Sequence, residues 1–269
     1  MSRIARSLLF VPGDRPERFA KAIGSGAHEV ILDLEDAVAP AGKGAARHAV
    51  AAWLADGGRA IVRINGADTP WFEQDVAMLR AALDARVMLP KAEPDSVARL
   101  AAGLPQRPAI ALVETVAGYL ALREVAAGPG VQRLAFGSVD FASESDIADE
   151  GESLTAIRTQ FVLESCRAKL PAPIDGVGLE FADEAVMRAD AVRSRRLGFG
   201  GKLCIHPRQV QAVNASFRPS ADELGWAQRV LAAFETSQGA ATSVDGKMID
   251  KPVVERALRI TAESMADAA

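Results

Sequence analysis

The chain has 269 residues, 49% hydrophobic and 25% charged, with a net charge of -4, enough for a sizeable core and a length that an α/β barrel commonly fills as one unit. The acidic balance excludes a general nucleic-acid surface, which needs a basic field, although a few local cations could still hold a small anion. No apolar run reaches membrane-spanning length, so no membrane association is expected.

Strand-length apolar runs rich in Val, Ile and Leu, bounded by turn residues, follow one another in chain order. They are SLLFVPG from Ser7, EVILDLED from Glu29, AIVRIN from Ala60, VMLPK from Val87, AIALVET from Ala109, RLAFGSVD from Arg133, PIDGV from Pro173 and GKLCIHP from Gly201. Helical stretches lie between them, such as AARHAVAAWLADG, WFEQDVAMLRAAL and DEAVMRADAVRSRRLGFGG, the last stopping at glycines. Eight strands alternating with helices favour a (β/α)8 barrel over an open doubly wound sheet, and continuous apolar runs suit strands buried on both faces. The barrel is expected over residues 1–218. Residues 219–269 read as a helical appendage: a helix in SADELGWAQRVLAAFETSQG, a loop in AATSVDGKMIDKP and a final helix in VVERALRITAESMADAA.

The apolar stretch near the N-terminus is too short for a signal peptide's core and cleavage site. Cys166 and Cys204 lie far apart without metal-type spacing and read as free thiols of a reducing compartment, which points to the cytoplasm.

A barrel builds its active site from the C-terminal ends of its strands, and those ends are polar here. Strand two ends on Asp33, Glu35 and Asp36, strand three carries Arg63 and Asn65, strand four gives Lys91, strand five Glu114, strand six Asp140 and strand eight His206. A single such charge is ordinarily a solvated loop residue, but a whole ring of them is harder to dismiss. Glu114 and Asp140, hard carboxylates from neighbouring strands, could hold Mg²⁺ with positions left for water and substrate, or could cap the following helices. Asp250 likewise reads from the residues alone as a cap before the Lys-Pro first turn of the last helix.

The motifs RSLLFVPG, DLEDAV, VRIN, LPK, LVETVAGY, LAFGSVDF, GKLCIHP and GKMIDKP, in this order from about Arg6 to Pro252, resemble those of the HpcH/HpaI aldolase and citrate lyase β-subunit superfamily. The resemblance is to its stand-alone citrate-lyase-β-like branch, which includes malyl-CoA and citramalyl-CoA lyases. It implies a barrel of the phosphoenolpyruvate/pyruvate type, Mg²⁺ dependence, a homotrimer, and retro-Claisen cleavage of a β-hydroxyacyl-CoA to acetyl-CoA and a 2-oxo acid. It further implies Glu114 and Asp140 as metal ligands, Glu35 and Asp36 near the metal and acting through its waters, and Arg63 as the substrate-binding, enolate-stabilising group. Phe10, Arg15 and Lys21 would meet the nucleotide part of CoA, and Asp250 would reach a neighbouring subunit's site as acid/base. Lys91 is expected beside the acidic cluster and the substrate, and His206 at the rim. After Asp140 the chain reads DFASESDIADEG and departs from the family's usual DFaxDLG. The alternatives are a citryl-cleaving subunit working on an acyl-carrier protein, and a CoA-independent class II pyruvate aldolase. Members of the second class place a histidine after strand two, where DLEDAV has none.

Overall fold

The structure, a computed structural model, describes residues 4–237, 240 and 242–268. All eight expected strands form: β1 (Ser7–Pro12), β2 (Glu29–Asp33), β3 (Ile61–Arg63), β4 (Arg86–Leu89), β5 (Ala109–Val113), β6 (Val131–Phe136), β7 (Ile174–Asp175) and β8 (Gly201–Cys204). They pair in sequence order, all parallel, and β8 pairs with β1, so the sheet closes. The helices between them are α1 (Phe19–Ile23), α2 (Lys43–Ala55), α3 (Phe72–Ala81), α4 (Pro94–Gly103), α5 (Val116–Leu120), α6 (Leu122–Ala126), α7 (Ser138–Ser145), α8 (Thr155–Arg167) and α9 (Glu184–Arg196), with α10 (Pro207–Ser216) after β8. This is a (β/α)8 barrel.

Side chains alternate along a strand, so one face of each strand fills the barrel interior. Leu8, Ile31, Ile61, Met88, Ile110, Leu112, Ala135, Ile174 and Leu203 form that interior cluster. The same period carried two residues further puts Phe10, Asp33, Arg63 and Glu114 on the inward stripe, just beyond the apolar floor.

β7 is only two residues long, and buried charge holds it in place. Asp175, fully buried, accepts from Arg158 Nε at 2.9 Å and from Ser194 Oγ, and Lys202 Nζ lies 3.7 Å away. Burial alone would raise the Asp175 carboxyl, but Lys202, Arg158 and the Ser194 hydroxyl outweigh it and hold it below its ordinary value. Its stabilisation is therefore present above the unfolded carboxyl's range and is lost as pH falls through the folded value. Asp175→Ala leaves Arg158 paired with Asp149 and Lys202 with Asp190 but removes the buried acceptor of Arg158 Nε and Ser194 Oγ, and is expected to cost about 1–3 kcal/mol, read as a lower urea midpoint at neutral pH. A midpoint within error of wild type would show that the pair contributes nothing.

The packing divides the chain after Asn214. The second unit contains α11 (Ala221–Thr236), opened by a capping box between Ser220 and Glu223, and α12 (Lys251–Ala268). Between them the expected loop is instead a hairpin, β9 (Thr242–Val244) and β10 (Lys247–Ile249). Asp245 and Gly246 both have positive φ, 52° and 74°, as the Asp-Gly pair of a tight hairpin turn requires. Ala227, Val230, Ile249, Val254, Ala257 and Ile260 form this unit's core.

Candidate active site

The site grows out of the β2–β3 register, which sets Asp33 directly beside Arg63. Arg63 Nε donates to Asp33 Oδ1 at 2.7 Å and Nη2 donates to Oδ2 at 2.6 Å, a bidentate pair in which both residues are buried. Arg63 Nη1 lies 3.0 Å from Glu35 Oε2 and 3.8 Å from Asp36 Oδ2, and the Phe10 ring packs 4.7 Å from the guanidinium carbon. Burial would lower the guanidinium's pKa, but the Asp33 hydrogen bonds and the charges of Asp33, Glu35 and Glu114 hold it above its ordinary value.

The turn after β2 is held from both sides. Asp33 accepts from the Glu35 and Ala37 amides at 2.9 and 3.1 Å, and the buried Lys43 ammonium donates to the carbonyls of Leu34 and Glu35 at 2.8 and 2.7 Å. Glu35 is thereby fixed inside the mouth, whereas Asp36 is exposed. Burial raises the Glu35 carboxyl, partly offset by Arg63 and Lys91.

Lys91 joins two carboxylates. Its backbone takes φ 46°, and from that left-handed conformation its amide donates to Glu114 Oε1 at 2.9 Å while Nζ donates to Glu35 Oε1 at 2.9 Å. Burial would lower the ammonium, but Glu35, Asp36 and Glu114 hold it above its ordinary value.

Glu114 is 2% exposed. Burial first, then the Glu35 and Asp140 charges, push its carboxyl up to about 8, against the opposing effects of Arg63 and the Lys91 amide. It does not cap α5, because Thr115 does, accepting from the Gly118 amide. Asp140 stands exposed in the first turn of α7, anchored by its neighbour Phe141, which packs edge-on against Tyr119 and Phe136. Gly137, which the sequence did not single out, is required here: a Cβ would lie 2.3 Å from Glu114 Cβ and 2.5 Å from Oε2.

Other expected site residues have surroundings of their own. Arg15 and Lys21 are exposed on the segment after β1, Lys21 on α1. Asn65 turns into Asp75, donating from both its amides at 2.9 and 2.6 Å. His206 stacks on Phe181 at 4.9 Å, and its Nδ1 accepts from the Arg208 amide at the start of α10, so it serves the rim and a helix end. Asp250 belongs to the second unit, where it is exposed and accepts weakly from the Val253 amide at 3.4 Å.

The chemistry of the donor set can be tested against a divalent cation. Asp33, Glu35, Asp36, Glu114 and Asp140 face only Arg63, Lys91 and Lys43 as cations in the interactions above, and Asp33 is consumed by Arg63. Burial first, and then this negative excess, raises Glu114. Among the described residues no cage of three or more His, Cys, Asp or Glu side chains forms. Hard carboxylate oxygens such as those of Glu114 and Asp140 suit Mg²⁺, which keeps several waters, better than Zn²⁺, which favours nitrogen and sulfur ligands.

A charged ring at the C-terminal mouth of a closed parallel barrel, with a buried acid raised to about 8 beside a clamped arginine, defines a barrel enzyme of the carboxylate-and-arginine type. The chain belongs to the HpcH/HpaI aldolase/citrate lyase family, whose model matches residues 6–207. It is 39% identical over 256 residues to a citrate lyase subunit beta-like protein of Mycobacterium tuberculosis, covering 93% of this chain and 92% of the relative. It is 37% identical over 275 residues to a (3S)-malyl-CoA thioesterase of Cereibacter sphaeroides, covering 98% and 96%. The crystal structure of the M. tuberculosis protein CitE in complex with magnesium, acetoacetate and coenzyme A matches with a TM-score of 0.86 at 34% identity, over 98% of this chain and all of that one.

Proposed function

We propose that the protein is a Mg²⁺-dependent carbon–carbon lyase that cleaves a β-hydroxyacyl-CoA of the malyl or citramalyl kind to acetyl-CoA and a 2-oxo acid. The observation that carries the reading is the buried Glu114 beside Arg63, in a chain similar throughout its length to a structure that contains magnesium, acetoacetate and coenzyme A. Glu114 and Asp140 would hold the cation, with Glu35 and Asp36 acting on its waters. Bound there, the cation would supply Lewis acidity that makes the substrate hydroxyl easier to deprotonate. Arg63, itself buried, would present a fixed positive charge to the thioester enolate that develops as the bond breaks. Lys91 holds Glu35 in place and opposes the rise that burial causes in its carboxyl. Arg15 and Lys21 are exposed and would meet the anionic nucleotide end of CoA. Phe10, expected at the same end, packs on Arg63 and would act there.

Incubating the protein and Mg²⁺ with malyl-CoA, citramalyl-CoA and citryl-CoA tests the reading through 2-oxo acid release. The thioesterase relative favours one second reading, hydrolysis of the thioester. That reaction releases a free CoA thiol without any 2-oxo acid, so a thiol assay on the same samples separates the two. No 2-oxo acid from any of the three esters would sink the lyase reading.

We further read the protein as a cytoplasmic homotrimer in which Asp250 serves a neighbour's barrel and protonates the enolate carbon. Among the described residues no helix is long and apolar enough to cross a membrane. Asp250→Asn and Glu114→Ala trimers should each be nearly inactive, while trimers co-refolded from the two should regain activity, because some interfaces pair an intact barrel with an intact aspartate. Mixed assembly is checked by mass spectrometry. Activity of mixed trimers no higher than that of either variant would refute the shared site.

A further inference from the structure

We infer that Asp33 is a positioning residue that decides which edge of the Arg63 guanidinium meets the substrate, an inference that rests on the lyase reading for its kinetic consequence but not for its geometry. Asp33 is 1% exposed, and each of its carboxylate oxygens accepts two hydrogen bonds. Oδ1 takes Arg63 Nε and the Glu35 amide, and Oδ2 takes Arg63 Nη2 and the Ala37 amide. A carboxylate has about four lone-pair sites, and all are spent within the protein. Asp33 is therefore left no free site for a metal ion, a water or a proton of the reaction. What remains for it is to aim its partner.

The aiming follows from which nitrogens it occupies. Guanidinium has five N–H donors in a fixed planar fork. Asp33 takes Nε and one proton of Nη2, and the Phe10 ring covers one face. The donors Asp33 leaves are those of the outer edge, Nη1 and the second Nη2 proton. Nη1 has Glu35 Oε2 within 3.0 Å, yet that oxygen is buried without an aligned hydrogen bond, so the Nη1 protons are not spent on it. Without Asp33 the fork could rotate about its last bonds and turn its Nε edge toward Glu35, losing the outer edge for an incoming oxyanion. Asp33 also shapes the turn that carries Glu35, so the same carboxylate sets the arginine and its nearest acidic neighbour together.

A purely structural ion pair would cost stability but leave the folded protein's turnover intact. The test is a double-mutant cycle of Asp33→Asn and Arg63→Lys on cleavage of malyl-CoA or citramalyl-CoA, with folding followed by circular dichroism. Asp33→Asn is expected to lower kcat about 10- to 100-fold with KM changed by less than about threefold, and to add less than about threefold when Arg63 is already lysine. A folded Asp33→Asn protein with full kcat, or an equal loss in both backgrounds, overturns the inference. The second arm needs no substrate: in wild-type protein labelled with ¹⁵N-arginine, the Arg63 Nε–H resonance should be protected from solvent exchange. A wild-type Nε–H exchanging as fast as that of free arginine also overturns it, even if Asp33→Asn fails to fold. Because this arm reads in the absence of turnover, an inactive wild type with a protected Nε–H would remove the lyase reading and keep the positioning of Arg63.

Discussion

Glu114→Gln is expected to abolish CoA-ester cleavage, by about a thousandfold or more, while making the metal-free protein less sensitive to alkali. The first effect follows from the loss of a ligand and of the negative charge that would attract the cation. The second follows from the sign of its pKa. The folded Glu114 carboxyl keeps its proton up to about 8, whereas the ordinary value is 4.5. Between those values the folded protein binds more protons than the unfolded chain, so stability falls as pH rises from about 4.5 to about 8 and levels off above. Glutamine has the shape of the protonated acid and no proton to lose, so thermal melts in chelator should show that decline in wild type and a flatter profile in the variant. Added Mg²⁺ should raise the wild-type melting temperature at pH 8 and leave the variant's unchanged. Calorimetric titration measures the same loss directly, and Mg²⁺ affinity equal in wild type, Glu114→Gln and Asp140→Ala would remove the metal assignment.

Arg63→Lys should fail almost as badly as Arg63→Ala, with kcat reduced about a hundredfold or more and KM changed little. A lysine carries the charge, but it is a point donor. It can answer Asp33 or an oxyanion from one nitrogen, whereas the native fork binds Asp33 through Nε and Nη2 and still offers Nη1. The shorter head would also leave the Phe10 face and lie within reach of Glu35 and Asp36, which would draw it away from the reacting atoms. Steady-state kinetics on the lysine and alanine variants decides between charge and shape. Turnover in the lysine protein within about threefold of wild type would show that charge alone suffices.

Much of this site is legible in the sequence because it lies on strands. Polar residues ending apolar runs mark Arg63, Lys91 and Glu114 as mouth residues, and the structure brings them together with Glu35. Asp33 stood at a strand end as well, yet its pairing was missed. The signal was present: Ile31 and Asp33 share one face by the period of two, as do Ile61 and Arg63, and adjacent parallel strands bring like faces side by side. Phe10 falls on the same inward stripe through Leu8, which places it under Arg63. Other features carried no such period. The left-handed backbone at Lys91 is imposed by tertiary contacts on a residue type that gives no hint of it. The need for glycine at 137 depends on a side chain from another strand. The hairpin in the second unit was missed for a different reason: its strands are three residues each, too short for a periodic signal, although the Asp245-Gly246 pair was a usable turn cue.

The double duty of Lys91 has a consequence for how the site could change over generations of mutation. Its amide serves Glu114 through backbone conformation, and its ammonium serves Glu35 through side-chain length. The two services are separable by substitution. Glycine or asparagine at 91 tolerates the positive φ and would preserve the amide contact, while releasing Glu35 from its ammonium. A β-branched residue disfavours that φ and would lose both at once. Single steps away from lysine therefore sort into those that retune the Arg63 side of the mouth alone and those that disturb both carboxylates together, and only the first kind offers a gradual route to a different acyl group.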